Sequence, residues 1–562
     1  MKNKTRNRAI LHLLVLLAAI IVINIISAHR FFRLDLTAEK RYTLAPVTKR
    51  LLKGIDDEIF VRVFLTGNLN VGFERLSKAT LEMLDEFRYA GALIRYETVD
   101  PADYPAEADS LKATGLAPVP VFEAAADGRK TQSMVYPYAT VAMRGYEIPV
   151  NLLENMQGLS GAENLNISAE ALEFKITDAI RKLATDNAPA IAFIEGHGEL
   201  DEWDVLDVTD ALSAYYRVDR GSLTNDPFLL DAYRAVIIAK PQHTFSTRDK
   251  FILDQYIMRG GSVLWLIDGT GASLDSLRSA VHTIGLATDV NLADQLFRYG
   301  VRINHTLLQD MQCALIQVNA APVGNSPQFV SVPWLFSPLL STALNHPATR
   351  YVNAVRSEFA GSIDTVGEIP NVTRNILLST GRYSRELPTP VYISLSQINE
   401  QPVREEFRKQ YIPVAMSLEG VFRSAFANRP VPPGVSIEPS KVRLQSVPAK
   451  MIVVADGDII RNEVRLKRSA SPRILPLGYD EASGQTFGNR QFILNAVNYL
   501  TDDEGWMSLR GRNYRLRLLD KEKLARELPF LKVANIVIPL ALLAIAGIII
   551  PLVRMRRYVR KD

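Results

Sequence analysis

Three short clusters in this chain carry residue types able to do chemistry. Glu195-Gly196-His197-Gly198-Glu199 sets an imidazole between two carboxylates, with glycines on both sides that let the backbone turn sharply. Such a histidine could titrate near neutrality or bind a metal. The favoured reading is plainer: His197 caps the following helix or hydrogen-bonds inside a turn. Asp456-Gly457-Asp458, with Asn462 and Glu463 close behind, pairs carboxylates that could hold a hard cation. Here too the favoured reading is a turn in which Asp side chains bond the backbone. Asp268-Gly269-Thr270-Gly271 looks like a phosphate-cradling loop only superficially, because no Lys-Ser/Thr pair follows it, and a P-loop is excluded.

Nucleophilic catalysis lacks candidates. The single cysteine, Cys313, has only His305 near it in sequence, and no G-x-S-x-G elbow is present. The chain holds seven histidines, none in an HExxH or His-x-His arrangement. One cysteine also rules out an intramolecular disulfide, a CxxC redox site and a cysteine zinc site. The chain is therefore expected to be no enzyme and to need no cofactor or metal. Its candidate cleft or binding residues are Glu195, His197, Glu199, Asp268, Asp456, Asp458 and Asn462.

The elements that would position these clusters alternate in type. Ile59–Leu65 alternates like a strand, Glu74–Ala90 places Leu76, Leu81, Leu84 and Phe87 on one helical face, and Leu93–Val99 is a second strand. After Val119–Phe122, Tyr138–Met143 and Tyr146–Asn151 read as a hairpin around Arg144-Gly145, and a helix follows at Ala169–Leu183. This is the order of a thioredoxin-like domain, expected over residues 29–186. Thr66–Gly72 occupies the place of its redox loop and contains no cysteine, so such a domain would be a scaffold used for contacts.

A second α/β unit begins near Ala188. Ala190–Ile194, Ala235–Ala239 and Ser262–Ile267 are apolar strands ending in Glu, Lys-Pro and Asp-Gly, separated by helices over Val205–Tyr215 and Ser246–Arg259, with Ser246 as N-cap. This pattern indicates a doubly wound parallel sheet, flavodoxin-like, with Met451–Val454 as a later strand of the same sheet. Ligands in such sheets bind beyond the carboxyl ends of the strands, and all three clusters fall there. The domain is expected over 187–316, with completion over 451–505. Residues 317–450, where Pro322, Pro327, Pro333, Pro338 and Pro347 break the periodicity, read as an insertion or β-rich subdomain.

Membrane-length apolar runs lie near both ends. Ala9–Ser27 and Val533–Val553 are each roughly the length that crosses a hydrocarbon core of about 30 Å, giving expected spans over 9–28 and 533–553. The basic tails 1–8 (Lys2, Lys4, Arg6, Arg8) and 554–562 (Arg554, Arg556, Arg557, Arg560, Lys561) favour cytoplasmic termini, which puts the body outside the cytoplasm. Basic residues also flank the spans on the other side, among them Arg30, Arg33 and Lys532. A cleaved signal peptide is the alternative for the first run, but that run is long for one and lacks a small residue at the −3 position. A basic amphipathic helix over 506–532 is expected to lead into the second span. The formal charge of +4 lies largely in the tails, so no basic field suggests nucleic acid.

Several segments together resemble the auxiliary, so-called substrate-binding, subunits of gliding-motility ABC transporters, the GldG-type family. They are Leu36–Leu44 (LTAEKRYTL), Glu195–Glu199, Leu253-Asp254-Gln255-Tyr256-Ile257 with Gly260-Gly261, and Gly488-Asn489 leading into Leu494–Leu500. The resemblance implies an ABC ATPase and a polytopic permease as separate partner chains, and two copies per complex if the transporter is a dimer of half-transporters. It also implies a Bacteroidetes-like inner (cytoplasmic) membrane, a periplasmic body, and a role in gliding or associated secretion. The second domain is similar to the scaffold of class I glutamine amidotransferases, without a cysteine nucleophile at a strand-to-helix elbow.

Overall fold

The computed structural model describes residues 43–91, 93–124, 130–280, 282–319, 328–465, 472–511 and 521–558, together with Val15, Leu17 and Ala18. The first apolar run and the N-terminal basic tail therefore lie almost wholly outside the described residues, as does the C-terminal tail from residue 559 onward. Residues Met1–Arg512 group as one compact unit and Asn513–Asp562 as another.

In the first unit, helix α1 (Pro46–Lys53) starts on a proline, whose missing N–H costs nothing at a helix start. A four-stranded sheet follows, built from β1 (Ile59–Val63), β2 (Ile94–Thr98), β3 (Tyr138–Met143) and β4 (Tyr146–Asn151) in the order β2-β1-β3-β4. β1 and β2 are parallel, and the other pairings are antiparallel. β1 alternates: Ile59, Val61 and Val63 are buried, while Phe60 and Arg62 face outward. Over the buried face lie α2 (Val71–Tyr89), capped by the Asn70 side chain, and α3 (Gly161–Ala184), which opens with a reciprocal Ser160/Glu163 capping box. Val119–Ala124 and Lys130–Val135 form a separate hairpin.

The second sheet is larger. Its parallel part uses β5 (Ala190–Glu195), β6 (Arg217–Ser222), β7 (Ala235–Ala239) and β8 (Ser262–Leu266), with a later strand at Ala449–Val454, in the spatial order β6-β5-β7-β8 and then Ala449–Val454. Counted along the chain, that is 2-1-3-4-5, an order shared by doubly wound sheets. Residues alternate between two cores. Ile191, Phe193, Ile237, Leu264 and Ile452 enter one, while Ala192, Ile194, Val236, Trp265 and Val453 enter the other. Both faces are covered, so these strands read as unbroken apolar runs. Helix α4 (Leu206–Ser213) and a helix at Asn489–Leu500 pack on the first face, and α5 (Thr247–Met258) packs on the second.

Residues 317–450 are β-rich, and much of that β structure joins the same sheet. β9 (Cys313–Asn319), β10 (Phe329–Thr342), β11 (Val372–Ser379) and β12 (Pro413–Gly420) continue it antiparallel from the strand Ala449–Val454, now β13. The insertion is tied back by Asp254 of α5. Its fully buried carboxylate accepts from Ser424 Oγ (2.7 Å), Ala425 N (2.8 Å), Tyr299 OH (2.8 Å) and Gln255 Nε2 (3.1 Å). Nearby, a Cβ on Gly261 would lie 2.3 Å from the Tyr256 ring, so the glycine lets strand and helix approach.

Helix α3 has two working faces. Leu172, Ile176 and Ile180, at i/i+4 spacing, enter the core of the first sheet. About half a turn away, Glu170, Phe174 and Asp178 meet the second sheet's side. Tyr351 OH donates to Glu170 (2.8 Å), Phe174 stacks on Trp506 (5.5 Å), and Tyr215 OH donates to Asp178 (2.8 Å).

The second unit contributes one helix, Lys521–Tyr558, within which Glu527–Val553 is long and apolar enough to cross a membrane. Among the described residues of 506–532, no separate basic helix precedes it. Trp506–Gly511 is a short 3-10 helix of the first unit, residues 512–520 lie outside the described residues, and Lys521 begins the long helix directly. Arg510, within the expected basic helix, is buried: its guanidinium donates to the Arg350 carbonyl and lies 4.9 Å from the Phe174 ring.

Candidate functional site

The order in which the chain adds strands to the parallel sheet reverses between β5 and β7, and the segment leaving β5 is the glycine-flanked histidine. Gly196 (φ +112°) and Gly198 (φ +73°) adopt left-handed conformations that fold the turn inward. The His197 carbonyl accepts from the backbone N–H of Gln242 (2.8 Å) and His243 (2.7 Å), closing the turn onto the loop after β7. The imidazole is 7% exposed and stacks on Phe245 at 3.7 Å. Nδ1 meets Glu199 Oε1 at 3.1 Å, and Nε2 meets Asp249 Oδ2 at 3.3 Å. Asp249 stands in the first turn of α5, fixed by Ser246 Oγ (2.6 Å) and Arg248 Nε (2.9 Å).

The cluster therefore divides. His197 and Glu199 come together, joined by Asp249, but Glu195 does not. At the end of β5 its side chain faces β6, where it accepts from Arg220 Nε at 2.7 Å. Both imidazole nitrogens are engaged and the ring is covered, so the group works as a pin between the β5 turn and α5. Burial opposes its positive charge, but hydrogen bonds and attraction from Glu199 and Asp249 win and raise the pKa above the ordinary value.

Asp268, Asp456 and Asp458 converge from the ends of β8 and β13, each offering an oxygen within 4.8 Å of the others. That spacing suits a cation, and the chain supplies its own. Lys240, after β7, places Nζ 3.4 Å from Asp268 and in close contact with Asp458. Backbone N–H groups satisfy more oxygens: Gly457 donates to Asp268 (2.6 Å), Glu358 to Asp456 (2.9 Å) and Asp458 to Asp456 (2.8 Å). Gly457 is required by contact, since a Cβ there would lie 2.5 Å from Lys240 Cβ. Burial pushes the Asp456 carboxyl well above the usual range, reinforced by Asp458 and Asp268; burial likewise raises Asp268 against the pull of Lys240. Burial works against the Lys240 charge, yet Asp268 and Asp458 hold it protonated.

Asn462 is buried, and its hydrogen bonds go elsewhere than to this cluster. It donates to the Trp203 carbonyl (2.9 Å) and accepts from Asp207 N (3.2 Å), fixing the start of α4. Between Asn462 and the carboxylates opens a cavity of about 360 Å³, walled by Asp458, Arg461, Glu463, Arg356 and Glu358. Arg461 bridges Asp204 (3.1 Å) and Asp275 (3.3 Å) across its rim.

Sequence reasoning missed Lys240, Asp249, Arg220 and Arg356. Ser246 followed three residues later by Asp249 was a capping signal that pointed at one of them. The Asp268–Gly271 segment is packed against its neighbours: Thr270–Gly271 pairs as a short strand with Leu286 and Ala287, and a Cβ on Gly269 would lie 2.3 Å from the Asn304 carbonyl oxygen. Burial pushes the Cys313 thiol up to about 11, helped by Asp310, so it stays protonated and a weak nucleophile at neutral pH.

Two histidines predict opposite pH behaviour. His197, with its raised pKa, stabilises fully below the unfolded value of about 6.5, and this is lost as pH rises through the folded value. The stability gap between wild type and His197→Gln is expected to be widest in mild acid and to narrow as pH rises. His346 is buried against Tyr499 (4.6 Å), and burial pushes its pKa down to about 4. Its neutral form is the stabilising one, so stability falls as pH drops from about 6.5 through 4. His346→Gln is expected to flatten that acid limb in denaturation curves recorded across pH.

A family described as "ABC-type uncharacterized transport system" matches residues 188–496, more than half of the chain. A second, described as "Domain of unknown function (DUF7088)", matches residues 38–142. No curated protein sequence matches. Among solved structures, the mmIFT52 N-terminal domain is similar at 12% identity and TM-score 0.31, covering 56% of this chain and 98% of that one. Human ERp44 is similar at 12% identity and TM-score 0.14, over 32% of this chain and 45% of that one. The exo-beta-1,4-mannosidase Op5Man5 from Opitutaceae bacterium strain TAV5 is similar at 11% identity and TM-score 0.18, over 69% and 46%. These structural likenesses are too slight to carry an argument. The family match, together with the apolar helix Glu527–Val553, indicates membrane association. The chain belongs to the family of ABC-type transport-system auxiliary proteins, accessory components of an ABC transport system.

Proposed function

We propose that the chain is a non-catalytic, membrane-anchored subunit of the GldG type. In this reading it joins a separate ABC ATPase and a polytopic permease in a bacterial inner membrane, serving gliding motility or associated secretion. Its termini are cytoplasmic, its body is periplasmic, and two copies stand in each complex. The observation that carries the reading is the family match over 188–496. The exposed apolar helix near the C-terminus and the lack of a Walker motif support it.

The first sheet is read as a thioredoxin-like scaffold, supported by its β-α-β then β-β-α order with Thr66–Gly72 free of cysteine. The second is read as a doubly wound domain whose cavity beside Asp458 meets the partner or cargo, because loops at strand carboxyl ends are where such sheets bind. The alternative, an envelope enzyme using Glu195, His197 and Glu199, has less support, since Glu195 faces Arg220 and both His197 nitrogens are occupied. Location is tested by protease added outside: the body is expected to be cut in spheroplasts and protected in intact cells. Protection in spheroplasts would place it in the cytoplasm.

A further inference from the structure

The body leaves toward its C-terminal helix through a segment with unusually varied attachments. Asp502 builds it: Oδ1 accepts from Gly505 N (2.7 Å) and Trp506 N (3.1 Å), and Oδ2 from Met507 N (2.9 Å). Trp506, Met507 and Leu509 then enter the core on one face of the second sheet. The same Trp506 ring stacks nearly parallel (9°) on Phe174 of α3, and the Arg181 guanidinium lies 3.9 Å from it. Arg510 and Arg350 make a reciprocal pair: Arg510 donates to the Arg350 carbonyl, and Arg350 Nη1 donates to the Gly511 carbonyl at 2.9 Å. Arg50 of α1 donates to the Glu504 carbonyl at 3.1 Å.

These contacts reach both sheets at once. Phe174 and Arg181 belong to the helix that covers the first sheet, and Arg350 to the insertion that extends the second. Elsewhere the joint includes the start of α1, where Ala45 and Val47 enter the second sheet's core, and hydrogen bonds: Tyr351 to Glu170, Tyr215 to Asp178, the Gln157 N–H to Asn353, and Asn353 to Asn155. We propose that Trp506–Gly511 is a latch that sets the relation between the two sheets. Withdrawing it loosens the joint and takes Trp506, Met507 and Leu509 out of the second sheet's core, while the strands of each sheet keep their pairing and the rest of their packing. The sequence runs from the latch through residues 512–520 to the Lys521–Tyr558 helix. The claim concerns the isolated chain; only its use in transport rests on the reading above.

The test is a distance measurement on the full-length chain in nanodiscs, with no partner present. In a Cys313→Ser background, spin labels on Lys78→Cys in α2 and Ser213→Cys in α4 report the separation of the two sheets by double electron–electron resonance. A single narrow distribution is expected in this labelled parent. Adding Trp506→Ala with Arg510→Met should broaden or split it, with the circular dichroism of a folded protein retained. A distribution that stays narrow in the folded double variant overturns the latch, as does one already broad in the parent. Should the double variant not fold, Arg350→Met, which removes the bond to Gly511, must broaden the distribution alone, and no change there overturns the proposal.

Discussion

Lys240→Met is expected to destabilise the body by about 3–5 kcal/mol at neutral pH, because it removes the ammonium that pairs with Asp268 and Asp458 in the buried carboxylate cluster. Methionine fills similar space, so the loss is electrostatic. Three buried carboxylates would then face one another with backbone N–H groups and, for Asp458, the Arg461 guanidinium at 3.9 Å as compensation. The pKa values of Asp268 and Asp456, already raised, would climb further. The sign follows: a carboxyl whose folded pKa exceeds its unfolded value favours folding more as pH falls. The gap between Lys240→Met and wild type should therefore shrink between neutral pH and pH about 5, and adding Asp268→Asn should recover part of the loss. Equal stability of Lys240→Met and wild type in urea denaturation at pH 7 would show that the lysine does not neutralise the cluster.

Asp254→Ala should cost about 3–4 kcal/mol, for a different reason. Its carboxylate receives four donors, from Ser424, Ala425, Tyr299 and Gln255, at a site without water access. Alanine would leave the Ser424, Ala425 and Tyr299 donors unpaired, while Gln255 Nε2 keeps the Arg443 carbonyl (3.0 Å), and burial makes unpaired donors expensive. Asp254→Asn keeps one acceptor oxygen and should cost about half as much. Because Ser424 and Ala425 lie on the loop after β12, the alanine variant should also make residues 421–447 the first site of proteolysis. Unchanged denaturation midpoints and an uncut loop would contradict this.

The same residues show what a sequence can and cannot reveal. β5, β7 and β8 were legible because both faces are buried and each strand is an unbroken apolar run. α5 was legible because Ser246 caps it. β6 (RVDRGS) escaped: it is an edge strand with no apolar pattern, and with it went Arg220, the partner that draws Glu195 away from His197. β10 and β11 escaped because Pro333 and Pro338 interrupt one and register shifts at Ile376, Leu378 and Ser379 interrupt the other. Lys240 could not be paired with Asp268 and Asp458 from sequence, since their meeting depends on β7, β8 and β13 being neighbours in the sheet. Asp254, Gly261 and Asn489, singled out by resemblance, prove to build the fold: Asn489 brackets Arg356 through its backbone N–H (2.9 Å) and carbonyl (2.7 Å).

Most directly, the accessory role is tested by mild-detergent purification of the tagged chain from its native membrane, with mass spectrometry of what accompanies it. The account predicts an ABC ATPase and a polytopic permease in fixed ratio to the chain. Recovery of the intact chain alone, from membranes in which both are present, would contradict it.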